Sequence, residues 1–124
     1  FDGGLHPGHI ATILFAAQQA DFLIVLVNSD ASCRRLKGER RPIYSQEQRA
    51  LAIAALACVD AVVVFTADTP ADLIRDIAPN VLVKGGDYAG GTLPLPGAEF
   101  AGRVVFGPLV AGAGTRPIAT AAAG

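Results

Sequence analysis

Hydrophobic and polar positions follow two rhythms along this chain. Phe22-Leu23-Ile24-Val25-Leu26-Val27 and Val59-Asp60-Ala61-Val62-Val63-Val64-Phe65 are short apolar stretches rich in β-branched residues, the signature of strands buried on both faces of a parallel sheet. Val81-Leu82-Val83 and Arg103-Val104-Val105-Phe106 give two shorter strands. Between the strands the apolar period lengthens to that of a helix. Ile10, Ile13, Leu14 and Ala17 mark a helix from His9 to Ala20, and Leu51, Ile53, Ala54 and Leu56 mark a second. Ser45-Gln46-Glu47-Gln48 opens that second helix as a capping box, Ser at the N-cap and Gln three residues on. A third helix starts with Thr69 as cap and Pro70 at the first helical position, and buries Leu73, Ile74 and Ile77 before Pro79 stops it. The polar runs Ala31–Pro42 and Tyr88–Gly102 read as loops, and the tail from Ala119 lacks an apolar face. Strands alternating with capped helices predict an α/β domain with a doubly wound parallel sheet, Rossmann-like, with its ligand at the carboxyl edge of the strands.

Composition narrows the partners. With 124 residues the chain is expected to form a single domain, and 52% hydrophobic residues, 17% charged residues and a net charge of −1 lack the basic surplus of a nonspecific nucleic-acid binder. Small molecules are the expected partners, with neither nucleic acid nor membrane among them. The apolar runs are too short to span a bilayer, no signal-type segment is present, and Cys33 and Cys58 have no framework spacing. These features fit a cytoplasmic protein with reduced thiols.

The candidate chemistry lies at the turns. His6-Pro7-Gly8-His9 sits where the first helix opens. Unpaired amides, the positive end of the macrodipole, a glycine permitting close approach and two imidazoles make that opening a phosphate site. A metal site fits less well, because these are the only 2 histidines and no Cys or carboxylate cluster accompanies them. Arg34, Arg35, Lys37, Arg40 and Arg41 form the one basic cluster, just after Asn28-Ser29-Asp30 at a strand's carboxyl end. Lys84-Gly85-Gly86-Asp87-Tyr88 leaves the third strand, and paired glycines there allow a ligand close to the backbone.

Phe1-Asp2 followed by His-x-Gly-His resembles the cytidylyltransferase-like nucleotidyltransferases. Asn28-Ser29-Asp30-Ala31-Ser32, Arg35-Leu36-Lys37-Gly38, Arg41-Pro42 and Val83-Lys84-Gly85-Gly86-Asp87-Tyr88 are similar to the bacterial heptose-1-phosphate adenylyltransferases within that family. The resemblance implies transfer of AMP from ATP to a sugar 1-phosphate, with pyrophosphate released. It implies catalytic roles for His6, His9 and Lys37; a nucleotide site with Phe1, Asp2, Gly8, Gly85, Gly86 and Thr115; and substrate contacts from Asp30, Arg41, Lys84 and Asp87. Arg49, in a Glu-Gln-Arg run shared with the family, is read as structural. Mg²⁺ is expected on the nucleotide phosphates rather than in a protein metal site, and a homodimer is the family's common assembly.

Two departures stand out. Three residues, Gly3, Gly4 and Leu5, separate Phe1-Asp2 from His6 where the family has two, and Gly114 and Arg116 flank Thr115 where the family has Ser and Thr. The family's first strand is expected N-terminal to Phe1. Two alternatives stay open: a cytidylyltransferase acting on glycerol 3-phosphate or a related alcohol phosphate, and a nucleotide-binding module without turnover.

Overall fold

The computed structural model describes residues 5–38, 44–85 and 95–108. The elements run α1 (Pro7–Ala17), β1 (Ile24–Asn28), α2 (Asp30–Lys37), α3 (Gln46–Ala54), β2 (Ala61–Phe65), α4 (Ala71–Ile77), β3 (Val81–Lys84), a single 3₁₀ turn (Ala98–Phe100) and β4 (Arg103–Phe106). All four expected strands are present. β1 pairs in parallel with β2, from Ile24 opposite Ala61 to Asn28 opposite Phe65, and β3 pairs in parallel with β4, from Val81 opposite Arg103 to Lys84 opposite Phe106. Among the described residues the ladders form two two-stranded parallel sheets.

Parallel pairing places every strand's carboxyl end at the same edge of its sheet, so the loops that follow are where a ligand meets the fold. The core lies under β1: Val25, Val27 and Ile53 of α3 form one buried cluster, with Leu5, Leu23, Val59 and Val62 packed around it. Val25 and Val27 are buried and their neighbours along β1 are half-buried, as a strand covered on both faces requires. Asp60 sets where the pair begins, its carboxylate accepting from the Leu23 amide at 2.8 Å. Phe22 therefore falls outside the strand and is 63% exposed. No helix among the described residues is long and apolar enough to cross a membrane.

Three expectations are corrected. The stretch from Ala31 to Lys37, read as loop, is helix α2, capped by Ser29, whose Oγ accepts from the Ser32 amide at 3.2 Å. Gly38, at φ 96°, ends it, its backbone N–H donating to the Arg34 carbonyl. On α1 only Ile13 is buried, while Ile10 and Leu14 are 38% and 53% exposed. The half-buried Thr12 is the residue of α1 that meets the exit of β4, its side chain 3.0 Å from where a Cβ on Gly107 would stand. Finally, α4 starts at Ala71 with Pro70 in the cap position, and Thr69 Oγ1 reaches the Ala71 amide only at 3.4 Å.

Candidate functional site

The opening of α1 is built by its own histidine. His6 is the N-cap, with extended backbone, and its Nδ1 accepts from the amides of Gly8 at 3.0 Å and His9 at 3.3 Å. Pro7 occupies the first helical position, where a missing N–H costs nothing. The Gly8 and His9 amides are thus held by His6 Nδ1, and Pro7 has none to offer. With Nδ1 accepting, the ring proton of His6 is assigned to Nε2. The His6 and His9 rings stack at 3.7 Å between centroids, 23° apart in plane, so two imidazoles share one end of the helix. Thr12 Oγ1 donates to the Gly8 carbonyl at 3.0 Å, bracing the first turn.

The carboxyl end of β1 leads into a closed network. Asp30 Oδ1 accepts from the Gln46 amide at 2.8 Å, and Gln46 Oε1 accepts from the Asp30 amide at 3.0 Å, so the first residues of α2 and α3 cap one another. Arg49 fastens this arrangement. It is 2% exposed and donates from Nη2 to Asp30 Oδ1 at 2.9 Å, from Nη1 to the Asn28 carbonyl at 2.6 Å and from Nε to the Tyr44 carbonyl at 3.0 Å. One guanidinium therefore holds both ends of the chain segment that carries the basic cluster. This bears out Arg49 as a residue that organises the fold. Asp30, expected at the substrate, has one carboxylate oxygen given to the scaffold, and its Oδ2 accepts no hydrogen bond among the described residues.

At the other sheet, Lys84 ends β3 and Gly85 follows it, both half-buried. The Gly107 amide donates to the Lys84 carbonyl at 2.7 Å and prolongs the β3–β4 ladder. Gly107 lies tight against α1: a Cβ there would stand 3.0 Å from the Thr12 side chain, which would have to give by a few tenths of an ångström. The lack of a Cβ lets the exit of β4 approach α1 about a turn from Gly8. Sequence reasoning missed Gly107; a lone Gly at the end of an apolar strand is its only signal.

The expected site residues thus divide. His6, Gly8 and His9 are together at one helix opening, and Asp30, Lys84 and Gly85 stand at strand exits. Lys37 is the last residue of α2, and its side chain lies outside what the structure describes. Phe1, Asp2, Arg41, Gly86, Asp87 and Thr115, with Gly114 and Arg116, lie outside the described residues.

A histidine pair at a helix opening, beside parallel strand exits, is matched by a family pattern: residues 4–96 fit the sequence model described as cytidylyltransferase-like. The chain belongs to the cytidylyltransferase-like family. The matched span of this cytidylyltransferase-like domain takes in the tetrad, the β1 exit, Arg49 and the glycine pair after β3, and stops short of Thr115. Among curated relatives, the bifunctional protein HldE of Wolinella succinogenes is 60% identical over 86 residues, covering 69% of this chain and 18% of that protein. HldE of Mesorhizobium japonicum is 50% identical over 115 residues, covering 90% and 23%. HldE of Streptomyces coelicolor is 47% identical over 123 residues, covering 97% and 27%. The chain therefore spans about a quarter or less of the length of these relatives. The fold is also that of a solved structure, the lipopolysaccharide core biosynthesis protein from Thermoplasma volcanium GSS1, with a TM-score of 0.69 at 21% identity over 87% of this chain and 93% of that one. The domain is a Rossmann-like nucleotidyltransferase domain.

Proposed function

We propose that this domain transfers AMP from ATP to a sugar 1-phosphate, heptose 1-phosphate in particular, and releases pyrophosphate. The observation that carries the reading is the stacked His6–His9 pair capping a helix in a cytidylyltransferase-like fold. Identity to HldE proteins and the Val-Lys-Gly-Gly-Asp-Tyr run support the choice of nucleotide and sugar.

The reaction is an in-line displacement. An oxygen of the sugar phosphate attacks the α-phosphorus of ATP, the bond from that phosphorus to the bridging oxygen breaks, and pyrophosphate leaves with the electron pair. No covalent enzyme intermediate forms. Catalysis then consists of positioning and of donors aimed at charge that grows in the transition state. The fixed tautomer makes His6 a donor through Nε2, His9 supplies the second imidazole, and Lys37 supplies the cation. Gly8, Gly85 and Gly86, with Phe1, Asp2 and Thr115, line the nucleotide; Arg41, Lys84, Asp87 and the second oxygen of Asp30 meet the sugar phosphate. Among the described residues no three His, Cys, Asp or Glu are grouped to hold a metal ion. Mg²⁺ is proposed to enter with the nucleotide, as part of the substrate. The proposed setting is the cytoplasm, and a homodimer is the proposed assembly.

The test is pyrophosphate release by the full-length protein with ATP or CTP and a panel of sugar 1-phosphates and glycerol 3-phosphate. ATP with heptose 1-phosphate is expected to turn over fastest. His9→Ala is expected to fall to background with an unchanged circular-dichroism spectrum, and turnover retained in that variant would sink the assignment. Preference for CTP with glycerol 3-phosphate would move the domain to the cytidylyltransferases, and calorimetric nucleotide binding without release would make it a binding module.

A further inference from the structure

The basic cluster is not one functional group of side chains. Arg35 has a specific partnership: its Nε donates to Asp68 Oδ1 at 2.7 Å and its Nη2 donates to the Thr66 carbonyl. One helical turn earlier, Ser32 Oγ donates to the Ala67 carbonyl at 3.0 Å and accepts from Asn28 Nδ2 at 3.1 Å. Ser32 is fully buried. Residues three apart lie on the same side of a helix, so one face of α2 grips three consecutive residues, 66–68, of the connection that leaves β2. The grip spans the exits of both strands of the first sheet, because Asn28 ends β1 and Phe65 ends β2.

We infer that Arg35 is a positioning residue: its bonds to Asp68 and Thr66 fix the last turn of α2, and so fix where Lys37 stands for the reaction. The inference rests on the adenylyl-transfer reading above. Arg35 and Lys37 are two residues apart in that turn, and Gly38 ends the helix immediately beyond. The arrangement is made for placement rather than for stability. Arg35 and Asp68 side chains are 46% and 64% exposed, and pairs so open to water contribute little to the folding free energy. A guanidinium is suited to the task because its fork meets a carboxylate and a carbonyl together, which an ammonium on a flexible stem does less well.

The test uses the full-length protein carrying Arg35→Ala, Arg35→Lys, Asp68→Asn, or Arg35→Ala with Asp68→Asn. Arg35→Ala and Asp68→Asn are each expected to lower kcat for pyrophosphate release about tenfold, and the double variant by no more than the worse single one, the non-additivity of two groups acting through one contact. KM for ATP is expected to hold within about twofold, since a cation that acts on developing charge serves the transition state more than the ground state. Arg35→Lys is expected to recover part of the loss, and melting temperatures to move by less than about 4 °C. Wild-type kinetics in Asp68→Asn beside collapse in Arg35→Ala would make Arg35 a substrate ligand and overturn the inference, as would additive losses. A wild-type protein that releases no pyrophosphate with any acceptor would instead remove the adenylyl-transfer reading. Hydrogen exchange over residues 34–38 then decides the grip itself: faster exchange in both single variants upholds it, and unchanged exchange refutes it.

Discussion

Helices α1 and α3 face the same problem, unpaired amides in the first turn, and answer it with different chemistry. At α3 the answer is closed. Ser45 Oγ accepts from the Gln48 amide at 3.2 Å, Gln48 Oε1 accepts from the Ser45 amide at 2.9 Å, and Asp30 takes the Gln46 amide. These groups use one another and leave a well-tied scaffold. At α1 the cap is an imidazole, which accepts from two amides through Nδ1, so that the ring proton is assigned to Nε2. An N-cap of Ser, Asn or Asp would serve the helix equally well. Under the adenylyl-transfer proposal, histidine there also supplies a donor from its other nitrogen. The comparison teaches that the α1 cap is a residue the proposed reaction also uses, whereas the α3 cap is not.

The largest expected effect breaks the closed side. Arg49→Ala removes a guanidinium that reaches two carbonyls and a carboxylate from inside the core, its side chain 1% exposed against 28% for Asp30. Removing one partner of a buried ion pair costs about 3–5 kcal/mol, and the partial exposure of Asp30 sets the expectation at the lower end of that range. Denaturant titration measures it. Arg49→Lys is not expected to restore stability, because three acceptors arranged around a planar fork cannot be met by one ammonium. Full stability in either variant would mean that the α2–α3 junction holds without its central residue.

The second effect sharpens the open side. His6→Asn retains a cap of the preferred class while removing the imidazole. Pyrophosphate release is expected to fall by about 10²–10³, the loss typical of one preorganised donor, with thermal stability nearly unchanged. His6→Ala is expected to lose the same activity and a further ~1 kcal/mol of stability with the cap. If His6→Asn keeps its turnover, the imidazole is a cap and nothing more.

Much of this was legible in sequence, and the failures share a cause. All four strands could be read because β-branched runs bounded by polar residues admit little else, and the α3 capping box because both of its bonds form within four residues. Helix α2 was misread because its buried face carries Ser32 beside Cys33, so no apolar period shows through the charges. The tetrad's place at a helix opening was visible, but the direction of the Gly8 and His9 amides was not, since an imidazole cap has no composition signal of its own. Arg35 lies in a charged run that a sequence can only mark as basic, and Arg49, though read as structural, has acceptors that its Glu-Gln-Arg run does not reveal. Their partners, Asp68 and Asn28, stand 33 and 21 residues away along the chain. Such contacts belong to the tertiary structure alone.

The smallest effect tests whether the closed side is as separate from the chemistry as the comparison holds. Ser45→Ala deletes the hydroxyl half of the capping box and is expected to cost about 1 kcal/mol of stability, as such caps do. It is not expected to change kcat, because two other ties keep the first turn in place: Asp30 Oδ1 still takes the Gln46 amide, and Arg49, one residue beyond Gln48, still reaches Asp30, Asn28 and Tyr44. The segment bearing Lys37 would then stay anchored at both ends while the helix frays slightly between them. Measuring kcat and the denaturation midpoint on the same preparation separates the two effects. A fall in kcat out of proportion to the loss of stability would show that the opening of α3 moves with the site, and the distinction between the two helices would have to be given up.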